Sequence, residues 1–165
     1  MKRNYQLELD KKIEEIVNLG KRPKLLLHSC CAPCSTYVLE YLSNYFDITL
    51  YYYNPNLDTK EEFNLRSEEQ QKLAKRLNIK CITEKYNEKE YIEAIKGNEE
   101  DPEGGPRCFK CYKLRLLRAA QYALKGGFDY FTTTLSISPY KNSNKLNEIG
   151  EELEKELGIK YLQAD

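Results

Sequence analysis

The chain lacks net charge, its 26 Lys and Arg residues being matched by 26 Asp and Glu. That excludes a protein-wide field that would gather polyanions, so any nucleic acid would have to be held by a local basic surface. Long apolar runs are also missing. The stretch from Met1 to Asp10 holds nothing resembling a signal peptide and no segment reaches membrane-spanning length, which points to the cytoplasm and away from a membrane partner. Internal repeats and low-complexity linkers are absent too. At 165 residues, with no compositional mark of disorder, the chain reads as a single domain over 1–165, residues 1–23 forming an N-terminal helical extension.

What is present alternates. Short β-like runs are separated by longer amphipathic ones, the pattern of a Rossmann-like α/β fold with a mostly parallel sheet and helices on both faces. Leu7, Ile13, Ile16, Val17 and Leu19 suit a first helix ended by Gly20, and Lys24 to His28 reads as a buried strand. Pro33 and Cys34 open a helix toward Tyr45, Ile48 to Tyr53 form a second strand, and Asn54-Pro55-Asn56 is a turn. Further helices are expected over Lys60–Leu77, Glu88–Ile95, Cys108–Leu124 and Asn144–Leu157. Strands are expected over Lys80–Thr83, Tyr130–Thr134 and Ile159–Leu162, and 97–107 is an acidic, Gly/Pro-rich loop. In such a fold the loops beyond the carboxyl ends of the strands carry function.

Cysteine is the informative residue. Six occur, and in a reducing compartment they suit metal ligation or redox chemistry better than a disulfide framework. Four form two Cys-x-x-Cys pairs, Cys31-Ala32-Pro33-Cys34 and Cys108-Phe109-Lys110-Cys111, and Cys30 widens the first to a triplet. Both pairs are placed at helix starts, where free N–H groups and the positive end of the dipole favour thiolates. Three readings are open: an iron–sulfur or mixed iron site, structural zinc, or redox thiols. A closed zinc shell needs only four ligands, so the fifth thiolate, Cys30, favours iron. Cys81, inside a strand, reads as buried and structural. His28 is the sole histidine, at the end of the first strand, and is either a satisfied core residue or a partner of the site. Arg107, Lys110, Lys113, Arg115 and Arg118 surround the second pair, as a solvated helix face or as contacts to phosphate or RNA. The fourteen tyrosines, Tyr51 to Tyr53 among them, suit core packing better than base stacking.

Several longer motifs stand in order around these cysteines. They are His28-Ser29-Cys30-Cys31-Ala32-Pro33-Cys34-Ser35, then Tyr53-Asn54-Pro55-Asn56 with Glu62-Phe63 and Arg66, then Arg107-Cys108-x-x-Cys111-Tyr112 with Arg115-Leu116. Gly127-Phe128-Asp129, Phe131-Thr132-Thr133-Thr134-Leu135 and Ser138-Pro139-Tyr140-Lys141 follow. From about Lys24 onward the chain thereby resembles the cobalamin-independent epoxyqueuosine reductases, the QueH family.

The resemblance implies a PP-loop or HUP type of fold in which the cysteine triplet replaces the phosphate loop, so ATP binding is not expected. It implies reductive deoxygenation of epoxyqueuosine to queuosine at the wobble position of a tRNA, with an external electron donor. The implied cofactors are a four-iron four-sulfur cluster and an adjacent mononuclear iron, on Cys30, Cys31, Cys34, Cys108 and Cys111. Some members carry aspartate at the position of Cys34, which suits the adjacent iron and makes Cys34 the candidate catalytic ligand. Asn54, Asn56, Thr133, Ser138, Tyr140 and Lys141 are the candidates for lining the substrate pocket, and Arg107, Lys110, Lys113 and Arg115 for touching RNA. Members carry a further segment ending in Tyr-Cys-Gly-Cys. Here the last residues are Tyr161-Leu162-Gln163-Ala164-Asp165, so the remaining ligands are expected beyond Asp165. The rival readings are a zinc-stabilised RNA-binding domain without catalysis and a thiol–disulfide oxidoreductase without metal.

Overall fold

The computed structural model describes residues 4–30, 32–102, 104–135 and 143–163, with the backbone alone for Pro33 and Cys34. In chain order the elements are α1 (Tyr5–Asn18), β1 (Lys24–His28), α2 (Ala32–Leu42), β2 (Asp47–Tyr52), α3 (Lys60–Arg76) and β3 (Lys80–Thr83). They continue with α4 (Glu88–Ala94), α5 (Pro106–Lys125), β4 (Tyr130–Thr133), α6 (Ser143–Leu157) and β5 (Lys160–Tyr161).

Local chemistry accounts for the ends of these elements. Asn4 caps α1, its Oδ1 accepting from the Leu7 N–H at 3.0 Å, and Tyr5, Leu9, Ile13 and Ile16 form the buried stripe. Gly20, at φ 66°, closes the helix: its N–H reaches the Val17 carbonyl while that of Lys21 reaches Ile16. Thr59 caps α3 through the Glu62 N–H at 3.0 Å. Helix α5 starts at Pro106, ahead of Cys108, because a proline in the first turn has no N–H to leave unpaired and Gly105 serves as the cap. Helix α2 stops at Leu42, short of Tyr45, where the fully buried Phe46 turns the chain into β2.

The strands form one five-stranded sheet in the order β3-β2-β1-β4-β5, and every adjacent pair is parallel. Central β1 is apolar on both faces, as a covered parallel strand must be. Leu25 and Leu27 face a cluster built with Leu9, Ile13, Val38, Leu39 and Leu73 from α1, α2 and α3. Leu26 faces the opposite cluster, built with Leu116, Ala120, Leu146 and Leu153 from α5 and α6. The 1–23 segment is thus tied to the core by α1. Cys81 packs half-buried against the first cluster, and burial pushes its thiol pKa up, in keeping with a structural role.

Sheet and α6 meet most closely at Gly150. A Cβ there would stand 2.5 Å from the ring of Tyr161, which is 2 % exposed and anchored by its hydroxyl to Asn147 Oδ1 at 2.9 Å. Gly150→Ala is therefore expected to lower stability by about 1–3 kcal/mol through overpacking, outweighing a helix-propensity gain of up to about 1 kcal/mol. Urea unfolding reads the change; an unaltered midpoint would show that the ring can yield.

Candidate functional site

Strand order reverses beside β1: β1, β2 and β3 run outward on one side, β4 and β5 on the other. The crevice at the carboxyl ends of β1 and β4 is the place where this topology puts ligands. His28 lies at that point, opposite Thr133 in the register and fully buried. Its Nε2 is 3.0 Å from the Tyr53 carbonyl, which can only accept, so Nε2 carries the proton. Nδ1 then accepts from the Thr133 hydroxyl at 3.0 Å, and Thr133 Oγ1 accepts from the Leu135 N–H at 3.1 Å. Burial, helped by the charge of Arg115, holds the imidazole pKa down to about 3. His28 is thus a neutral tie between β4 and the end of β2, with both nitrogens engaged.

The cysteine segment that follows is bracketed. Ser29 and Ser35, which flank residues 30–34, are buried and hydrogen-bond to each other through their hydroxyls. Gln70 from α3, fully buried, donates from Nε2 to Ser29 Oγ at 2.7 Å and to Ser35 Oγ at 3.4 Å. From the segment that follows β2, Asn54 Nδ2 donates to the Ser29 carbonyl at 3.0 Å, and Asn54 Oδ1 accepts from Arg115 Nη1 at 3.2 Å. One buried polar chain therefore runs from α3 through the flanks of the first cysteine group to α5, which bears the second pair. Sequence reading missed Ser29, Ser35 and Gln70. The available signal was a polar pair, Ser67 and Gln70, on the same buried stripe of α3 as Phe63 and Ala74.

Cys30 is half-buried against the α5–α6 apolar cluster, as are Cys108 and Phe109. Cys108 lies in the first turn of α5, where the Gly104 N–H points at its Sγ at 3.3 Å, and Cys111 is buried one turn on. Tyr91 of α4 lies among them: burial pushes its phenol pKa up, Cys111 and Cys108 add to this, and Arg107 and Arg115 oppose it. Cys34 sits in the first turn of α2, its side chain outside the described residues, as is all of Cys31. Among the described residues no three Cys, His, Asp or Glu side chains gather into a metal site. The donor chemistry nevertheless fits a thiolate-bound metal group, because Cys34 and Cys108 both stand in the first turn of a helix and Cys108 already receives a backbone N–H.

The other sequence candidates divide. Asn54 and Thr133 are 1 % exposed and hydrogen-bonded inside the protein, which makes them supports of the site's wall. Asn56 is half-buried and its Oδ1 has no partner. Ser138, Tyr140 and Lys141 lie outside the described residues. Lys110 and Lys113 are exposed and Arg107 is half-buried, with Arg107 Nη1 on the Glu99 carbonyl at 3.2 Å. Arg115 departs from the solvent-facing stripe expected of it. At 3 % exposure it points inward, because its position on α5 falls on the buried face with Tyr112, Leu116 and Ala119.

Comparison with known proteins shows the family and the fold. The family model described as "Epoxyqueuosine reductase QueH" matches residues 25–165. The epoxyqueuosine reductase QueH of Streptococcus pyogenes serotype M1 is 39 % identical over 175 aligned residues, covering 100 % of this chain and 69 % of that protein. That of Staphylococcus epidermidis is 41 % identical over 175, covering 99 % and 74 %. Among solved structures, a predicted tRNA methyltransferase subunit from Methanocaldococcus jannaschii aligns with TM-score 0.58 at 16 % identity, over 86 % of this chain and 67 % of that one. The U34-tRNA thiolase NcsA of Methanococcus maripaludis, solved with its [4Fe-4S] cluster, aligns with TM-score 0.53 at 13 % identity, over 96 % and 58 %. These likenesses bear on the fold alone, a Rossmann-like α/β architecture with a parallel sheet. No helix among the described residues is long and apolar enough to cross a membrane.

Because His28 is the sole histidine, its ring gives an unambiguous NMR signal. The expected spectrum is that of a neutral Nε2–H tautomer, unchanged on acidification until the fold fails or pH approaches 3. Above about 6.5 the imidazole is neutral in the folded and unfolded chains alike. As pH falls below that value the unfolded chain takes up a proton the folded one refuses, so stability is lost progressively toward pH 3. An ordinary titration near 6.5 in the folded protein would refute the assignment.

Proposed function

The chain belongs to the epoxyqueuosine reductase QueH family, and from that premise we propose that it deoxygenates epoxyqueuosine to queuosine at the wobble position of a tRNA. Removing the epoxide oxygen as water leaves an alkene and consumes an electron pair and a pair of protons. The observation that carries the reading is the family match over 25–165, in a chain whose two cysteine groups stand at the starts of α2 and α5.

Cys108 and Cys111, with one or both of Cys30 and Cys31, would hold a four-iron four-sulfur cluster, and Cys34 would help hold an adjacent mononuclear iron. Such a group, when bound, supplies electrons singly from an external donor and a Lewis acid for the departing oxygen. The rest of the work falls to the chain. Gln70, Ser29 and Ser35 keep the first cysteine group in place, and Asn54 with Arg115 fixes it against α5. Asn56, with Ser138, Tyr140 and Lys141, would line the pocket for the modified base along a wall backed by Asn54 and Thr133. A wobble nucleotide in a single-stranded loop can be turned into such a pocket without breaking a base pair. Exposed Lys110 and Lys113, with Arg107, form a local basic surface that could meet the phosphate backbone in a chain without net charge.

Anaerobic preparation with iron, sulfide and zinc analysis tests the reading, followed by incubation with reductant and tRNA carrying epoxyqueuosine. Bound iron and sulfide and formation of queuosine are expected; stoichiometric zinc without iron would overturn it. Cys34→Ala should lower iron per protein, by the adjacent iron alone, and cut turnover at least tenfold while the cluster absorbance survives, in line with a typical tenfold or greater loss of activity on removing metal-site groups. Loss of the whole cluster would move Cys34 into the cluster set.

A further inference from the structure

Among the described residues Arg115 is a cation taken almost wholly out of water, at 3 % exposure. Its Nη1 donates to Asn54 Oδ1 at 3.2 Å, its Nε–H is buried without a partner, and none of the ion pairs among the described residues includes it. A desolvated guanidinium with a neutral amide as its hydrogen-bond partner is costly unless negative charge arrives from elsewhere. Its surroundings show where that charge would be. Cys111 lies four residues earlier on α5, so the two buried side chains are neighbours on one helix face. Tyr91 feels Cys111, Cys108 and Arg115 together. On the far side, Asn54 joins Arg115 to Ser29, the residue before Cys30.

We propose that Arg115 is a positioning residue, the built-in counter-cation of the cysteine thiolates when they carry metal, oriented by Asn54. This rests on the reading that the cysteines hold a redox-active metal group. A metal group bound by several thiolates is negatively charged, and each electron it accepts makes it more so. A fixed cation beside it favours the reduced form and raises the reduction potential.

The test is a redox titration, followed by visible absorbance and electron paramagnetic resonance, of anaerobically reconstituted protein and three variants. Arg115→Met should lower the ratio of reduced to oxidised metal at fixed potential by about tenfold, a shift of about 59 mV for a one-electron couple. Arg115→Lys, which keeps the charge, should stay near the unsubstituted protein. Asn54→Asp leaves Arg115 in place but gives it a carboxylate, and should shift the potential in the same direction as Arg115→Met. It also preserves the test if circular dichroism shows that Arg115→Met does not fold. Unchanged potentials in the folded variants, or a fall in Arg115→Lys as large as in Arg115→Met, would overturn the proposal. Absence of any redox couple in the unsubstituted protein would instead overturn the functional reading, and this inference with it.

Discussion

Burial of the end of β1 is the constraint on which the rest of the structure depends. A central parallel strand covered on both faces cannot hydrate its last side chains, so His28 and Ser29 must find partners within the protein. The partners come from several directions: Thr133 from β4, the Tyr53 carbonyl and Asn54 from the end of β2, Ser35 from α2 and Gln70 from α3. A polar seam of this kind tolerates little displacement, because each group that loses its partner is left unpaired in a medium of low dielectric.

That seam is also what gives the cysteines a fixed frame. Five cysteines come from segments far apart in the chain, and short Cys-x-x-Cys spacing sets geometry only within a pair. The relation between the pairs depends on how the end of β1 is held against α5, which the Asn54–Arg115 link supplies. The same hydrogen bonds that satisfy the buried polar groups thus join the flanks of the first cysteine group to the helix that bears the second. Farther out, Arg118 lies over the Tyr53 ring and pairs with Glu90, tying α4 to α5 beside the site.

Much of the architecture was legible in the chain because its signals are local. The apolar run at β1 and the Gly20 stop each act within a few residues, and the observed elements follow them closely. Boundaries moved where a longer-range contact intervened, as at Leu42, where Phe46 is drawn into the core. The placement of Cys34 and Cys108 at helix starts was legible from Pro33 and from the Gly/Pro-rich loop before the second pair. Gln70 was not, since a glutamine on a charged helix shows its importance only when Ser29 and Ser35 arrive from another part of the chain. Arg115 was read as one of a group of helix cations, solvated or touching RNA, because one-dimensional charge patterning does not show which face of α5 meets the sheet.

The sequence by itself determined the kind of chemistry available: soft thiolate donors in two groups, a parallel α/β scaffold to carry them, and no global charge to gather RNA. Only the tertiary structure decided which polar side chains hold those donors in place. It turned Asn54 and Arg115 inward, gave His28 its neutral tautomer, and made Gln70 a clamp. The physical reason is that donor identity is a property of single residues. Burial, by contrast, is a property of the packed whole, and it is burial that converts an ordinary polar side chain into one that must be satisfied.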